Sequence, residues 1–217
     1  GEYPQAIADF TQVAFLDPTN TSALNNLGTA RYLNGEFSAA IASWRKSEAI
    51  KPNRTALSNI GTGYYYLRDF QQAANMYTKA IEATPNDHRL WGNLADAQRM
   101  AEKNAAARTN YLKAIDLAES ALVINDADPL TSSRLAVYYA SIGKPEKARA
   151  NLQRTETLGG ANPYMQYDIT VALVLLGDQQ KAQYAYKNLL ESGFPIAVIE
   201  AEPIFESLKQ SSGESSP

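Results

Sequence analysis

A chain of 217 residues, 45% hydrophobic and 20% charged, is long enough to bury one sizeable apolar core. Twenty Lys and Arg against 23 Asp and Glu leave a formal charge of -3, so nucleic acid and anionic membrane surfaces have no global field to follow, and the longest strongly apolar run, 169–176, is far short of the roughly 20 residues of a membrane span. With no Cys there is no disulfide or thiolate ligand, and the single His88 leaves no histidine pair for zinc. Neither nucleic acid nor membrane insertion is expected. The lack of Cys suits the cytoplasm and the periplasm alike. No initiator Met, basic-apolar leader or cleavage pattern is visible, and Gly1 reads as a cut end.

The first segment, about 1–20, holds one predicted helix with Ala6 and Phe10, closed by Pro18. Gly1-Glu2-Tyr3 stands where a turn between two helices belongs, so the unit lacks a leading helix, and either its Ala6 to Phe15 face is partly uncovered or the native protein extends upstream. Residues 21–53 carry Leu27-Gly28, a break at Gly35, then Ala40, Trp44, Ser47 and a closing Pro52. Residues 54–87 follow with Ile60-Gly61, a break at Arg68-Asp69, then Ala73, Tyr77, Ala80 and Pro85. Pro18, Pro52 and Pro85 thus recur at a nearly constant interval, the mark of a repeated structural unit. Residues 88–128 hold Leu94-Ala95, a break at Lys103, then Ala107, Tyr111 and Ala114, but Pro129 comes late and this unit is longer than its neighbours. Seven extra residues are about two turns at 3.6 per turn, so a helix from 105 to about 124 lengthens to about 30 Å without rotating its buried face.

Residues 129–162 resume the spacing with Leu135-Ala136, Gly143, Ala148 and Leu152, and 163–196 repeat it with Ile169-Thr170, Gly177, Ala182 and Tyr186. Gly193-Phe194-Pro195 turns the chain into a cap at 197–208, where Ile199, Ile204, Phe205 and Leu208 cover the last apolar face. The remainder, 209–217, is a polar tail with too little apolar surface to order itself.

Each unit reads as two helices of about 14 residues, apolar at three- and four-residue spacing, joined by a tight turn. Small residues at matched places let the backbones approach, and the aromatic fills the space between neighbouring hairpins. These residues resemble the tetratricopeptide repeat, whose 34-residue consensus has Trp, Leu-Gly and Tyr in the first helix and Ala, Phe or Tyr, Ala and Pro in the second. The match spans nearly the whole chain. It is best at Leu57, Ile60, Gly61, Tyr64, Phe70, Ala73, Tyr77, Ala80 and Pro85, and strong at Trp91, Leu94, Ala95, Ala107, Tyr111 and Ala114. The resemblance implies an all-α, right-handed superhelical solenoid of antiparallel helix hairpins, about six units with a C-terminal capping helix.

Catalytic constellations are absent: no Gly-x-Ser-x-Gly, His-Glu-x-x-His, Gly-x-x-x-x-Gly-Lys or Gly-x-Gly-x-x-Gly occurs. Neither catalytic nor metal residues nor a cofactor are expected, and the chain does not read as an enzyme. His88 opens a helix, and Asp126, Asp128, Glu200 and Glu202 are expected to be solvated charges. Asn20-Thr21-Ser22 and Asn53-Arg54-Thr55 fit a glycosylation acceptor, yet helix capping explains both better.

In the resembled family the first helices of successive hairpins line a concave groove that receives an extended peptide or a partner helix. Asn26, Asn59 and Asn93 each precede the apolar-small pair of their unit, so they recur at the spacing of the repeat. Amides both donate and accept, so such a ladder suits a peptide backbone; bonding to neighbouring helix backbones, or simply avoiding aggregation in a wet groove, is an equally open role. The same surface adds Thr62 and Asp96, while Arg89, Arg99 and Arg134 should make its middle positive, with Asp168 at the next equivalent place. A carboxylate clamp known in chaperone-binding relatives would map onto Asn25, Thr29, Asn59, Arg89 and Asn93, which retains one cation and puts that role in doubt. Tyr32, Tyr65 and Tyr66 should approach the groove or serve hairpin packing. The function these features imply is a non-catalytic scaffold binding a protein or peptide partner. The alternative is a C-terminal sensory or assembly module of a larger bacterial kinase, cyclase or transcription regulator.

Overall fold

The computed structural model describes residues 3–160 and 162–213, with side chains as far as 209; residues 1–2 and 214–217, named above in the first turn and the tail, lie outside it. Among the described residues every regular element is helical. The chain forms two compact units, Gly1–Ala107 and Arg108–Pro217.

The first unit contains α1 (Tyr3–Leu16), α2 (Thr21–Leu33), α3 (Phe37–Ile50), α4 (Arg54–Tyr66), α5 (Phe70–Ala83) and α6 (His88–Met100). Helix starts are set by side-chain caps, as the sequence leads one to expect. Asn20 Oδ1 accepts from the Ala23 N–H at 2.9 Å and Asn53 Oδ1 from the Ala56 N–H at 2.8 Å, each satisfying a donor that the first helical turn leaves open. The tight turns share one hydrogen-bond pattern. Glu36 N–H donates to Arg31 C=O at 2.8 Å, Asp69 to Tyr64 at 3.0 Å and Lys103 to Gln98 at 2.8 Å; in the second unit Lys144 donates to Tyr139 at 2.9 Å and Asp178 to Leu173 at 3.1 Å. That six-to-one bond needs a left-handed residue just before the donor. Gly35, Gly143 and Gly177 supply it freely, whereas Arg68 (φ 61°) and Glu102 (φ 60°) adopt it against their Cβ.

Packing follows the small-residue and aromatic positions. Trp44 is buried against α2 and donates its Nε1–H to Asn25 C=O at 3.2 Å, and Ser47 donates to Thr21 C=O at 3.2 Å. Ala40, Ile41, Trp44, Ile60 and Met76 form one core cluster, and Ala73, Ala74, Tyr77, Ala80, Ile81, Leu90, Leu94 and Ala97 form the next. Gly28 and Gly61 are points of close approach, as expected, and so is Gly63, where a Cβ would lie 2.6 Å from Ile41 Cγ1. No residue of α1 is buried; Phe15 is 76% and Leu16 72% exposed, in line with the uncovered face foreseen for this unit.

The second unit comprises most of α7 (Asn104–Ile124), then α8 (Pro129–Ser141), α9 (Pro145–Leu158), α10 (Pro163–Leu175), α11 (Gln179–Glu191), α12 (Ile196–Ala201), a 3-10 turn η1 (Pro203–Phe205) and α13 (Glu206–Gly213). Helix α7 has 21 residues, the two added turns inferred from the delayed Pro129, and its last turn leaves Val123 and Ile124 almost fully exposed. Val198, Ile199, Phe205 and Leu208 are wholly buried in the cap.

Two carboxylates expected to be solvated are not. Glu202 is 1% exposed, accepts from the Tyr167 hydroxyl and faces the Ile204 N–H at 3.4 Å, because the chain reverses there and the first turn of η1 needs an acceptor. Asp128 is half-buried as the cap of α8, accepting from Leu130 and Thr131 N–H and from the Thr131 hydroxyl at 2.6 Å. Helix α13 continues to Gly213, into the segment expected to form the polar tail.

Candidate functional site

In the first unit α3 packs between α2 and α4, and α5 between α4 and α6, while α2 touches α4 and α4 touches α6. The helices therefore form two layers, and α2, α4 and α6 are the layer on which most candidate residues lie. Asn26 is exposed and Asn59 and Asn93 are half-buried. Among the described residues none of these three amides makes a side-chain hydrogen bond, and no polar atom of Asn59 or Asn93 is buried without a partner.

The other candidates divide by direction. Asn25 turns inward: its Oδ1 is buried with no hydrogen-bond partner, although it precedes Asn26 by one residue. Successive helical side chains diverge by about 100°, which separates the two. Thr29 is exposed and donates to Asn25 C=O at 3.1 Å. Thr62 faces the outer layer, hydrogen-bonded to the Tyr77 hydroxyl at 3.0 Å and to Ser58 C=O at 3.2 Å.

Tyr32, Tyr65 and Tyr66 join an aromatic row at the hairpin turns. Tyr66 stacks on Phe37 at 5.3 Å and lies 5.6 Å from Tyr32, which also meets Trp44 at 6.1 Å, while Tyr65 sits edge-on to Phe70 at 5.5 Å. Hairpin packing accounts for these contacts.

The expected positive middle is not realised, because each arginine stands on an aspartate. The Arg89 guanidinium makes two hydrogen bonds to Asp87, at 2.9 and 2.8 Å, beside one from its backbone N–H at 3.1 Å, and Arg99 lies 3.6 Å from Asp96. In the second unit Arg134 Nη1 lies 3.1 Å from Asp168 Oδ1. Partial burial alone would raise the Asp87 carboxyl, but the hydrogen bonds and charge of Arg89 outweigh it and hold the group below its ordinary value. Asp87, which also caps α6, was visible one residue before His88 yet was not foreseen as a partner of Arg89. Ser133, beside Asp168, carried no such signal.

Among the described residues no grouping of His, Asp and Glu is placed to hold a metal ion, and no helix is long and apolar enough to cross a membrane.

A profile of the tetratricopeptide repeat matches residues 1–54 and 59–121, more than half of the chain. Among solved structures, a crystal structure of MamA superimposes with a TM-score of 0.55 at 18% identity, covering 73% of this chain and 89% of that one. The MamA 41-end structure from Desulfovibrio magneticus RS-1 gives a TM-score of 0.55 at 18% identity, over 73% of this chain and 86% of that one. At such identity the likeness concerns the fold. No curated protein matches the chain.

Proposed function

The chain belongs to the tetratricopeptide repeat family, a protein-interaction fold, and on that premise we propose that its first unit binds an extended segment of a partner protein along α2, α4 and α6. The observation that carries this is the set of amides at Asn26, Asn59 and Asn93, in register with the repeat and making no side-chain hydrogen bond among the described residues. An amide that neither bonds its own fold nor is buried is available to pair with a peptide N–H or C=O, and three at one repeat spacing match a ligand presenting its backbone periodically. The arginines are neutralised locally, so recognition is by hydrogen bonding and contact area rather than by charge, and it needs no terminal carboxylate on the partner. The activity is binding and not catalysis, and the net charge of -3 speaks for protein over nucleic acid as partner.

The test is selection of binders from a displayed random dodecapeptide library, followed by affinity measurement against the parent and the Asn26→Ala, Asn59→Ala, Asn93→Ala triple variant. Three hydrogen bonds at about 1 kcal/mol each predict a loss of about 100-fold. Unchanged affinity, with unchanged thermal unfolding, would place the binding surface elsewhere.

A further inference from the structure

The amides are not the only row that the repeat writes on the α2, α4 and α6 layer. Asn26, Asn59 and Asn93 are each followed seven residues later by a large apolar side chain, Leu33, Tyr66 and Met100, and these three are the last residues of α2, α4 and α6. Seven residues are close to two helical turns, so each pair shares one stripe of its helix, about 10.5 Å apart at 1.5 Å per residue. Leu33, Tyr66 and Met100 are all half-buried, which leaves part of each side chain at the surface. Thr29 and Thr62, between the two rows, engage their hydroxyls within the protein, on Asn25 C=O at 3.1 Å and the Tyr77 hydroxyl at 3.0 Å. A polar row and an apolar row therefore run side by side from one helix to the next.

Both rows stop together. In the next hairpin Arg134 and Ser141 replace the amide and the apolar residue. The paired rows span three hairpins, and their helices all lie within the first unit.

A ligand that uses both rows must turn backbone groups to one and side chains to the other, in step with the helices. Packed helices lie about 8–10 Å apart. A β-strand repeats a side chain on one face about every 6.7 Å and falls out of step after one helix. An α-helix satisfies its own backbone groups and has none to offer an amide. Polyproline II advances about 9.3 Å in its turn of three residues, keeps every third side chain on one face, and leaves its N–H and C=O groups unpaired. It meets both requirements.

We propose that the partner segment crosses α2, α4 and α6 in the polyproline II conformation, with its backbone on the amides and an apolar side chain at every third residue against Leu33, Tyr66 and Met100. This rests on the function proposed above and adds the conformation and sequence pattern that the surface selects: three apolar residues within about seven, with proline not required.

The test starts from dodecapeptides selected on the intact protein. Binders should carry Leu, Ile, Met or Phe at a three-residue spacing, and synthetic peptides of the same composition with those residues moved to every second position should bind at least about tenfold more weakly. Leu33→Ser and Met100→Ser should each weaken the selected peptides at least about fivefold, and changing the peptide's matching terminal apolar residue to Ser should then cost at most about twofold more. Apolar residues at a two-residue spacing, or at none, would overturn the polyproline II assignment; so would tight binding of the re-spaced peptides. In either case a loss of affinity in the triple amide variant leaves the binding surface itself standing. A library without binders, or binding unmoved by the amide variant, overturns that surface and this assignment together. Should the serine variants fail to fold, the re-spaced peptides on the parent decide.

Discussion

The indole of Trp44 occupies the space that a side chain on Gly28 would need: a Cβ there would lie 2.4 Å from Trp44 Nε1. The same relation recurs one repeat later, where a Cβ on Gly61 would lie 2.9 Å from the ring of Tyr77. Glycine is normally a weakness inside a helix, and replacing it with Ala on a free surface stabilises by about 1 kcal/mol. Here the sign reverses, since both rings are buried and cannot retreat. Gly61→Leu should lower stability by about 1–3 kcal/mol, and Gly28→Ala should cost more than Gly61→Ala. Chemical denaturation of the variants measures this; equal or higher midpoints would show that the outer helices do not sit on those glycines.

Glu102 occupies the left-handed position of its turn at φ 60°, where the equivalent turns use Gly35, Gly143 and Gly177. An L side chain there costs about 1–2 kcal/mol, and glycine in turn gives up chain entropy on folding. Glu102→Gly should therefore stabilise the protein by about 0.5–1 kcal/mol, while Gly35→Ala should destabilise it. A rise in melting temperature for the first and a fall for the second is the expected pattern. If both variants melt as the parent does, the turn is not under backbone strain.

Asp87 is held below the usual carboxylate range in the folded protein: partial burial opposes ionisation, but hydrogen bonding and charge from Arg89 prevail. A folded-state value below the unfolded one gives stability that is present above the unfolded value, about 3.9, and is lost as pH falls through the folded one. The parent should thus lose stability more steeply than Asp87→Asn as pH drops below about 4. Parallel acid-unfolding curves for the two proteins would show that the carboxylate gains nothing from Arg89.

The helical hairpins are legible in the sequence because their causes are local. Asn20 and Asn53 cap the helices they precede, and Gly35 and Gly143 turn the chain where they stand. The long α7 also follows from counting, since seven residues added at 3.6 per turn preserve the buried face. The candidate surface is legible only in part. The period placed Asn26, Asn59 and Asn93 on equivalent positions, but it could not tell that Thr62 turns to Tyr77 or that Tyr66 stacks on Phe37. Those outcomes depend on what the neighbouring helix offers at the crossing point.

What the sequence determined alone is the repeated unit itself: apolar and small residues recurring once per unit, with capping and turn residues between, leave the chain no other way to bury its apolar faces. What only the tertiary structure decided is the fate of the polar groups. Asn25 and Asn26 are neighbours, yet one carbonyl is sealed inside and the other amide is exposed; Glu202 is buried under Tyr167, and Arg134 meets Asp168 from a different hairpin. Burying apolar area is non-directional and can be read from periodicity. Pairing a polar atom is directional and short-ranged, so it is settled only when helices distant in the chain come to lie against each other.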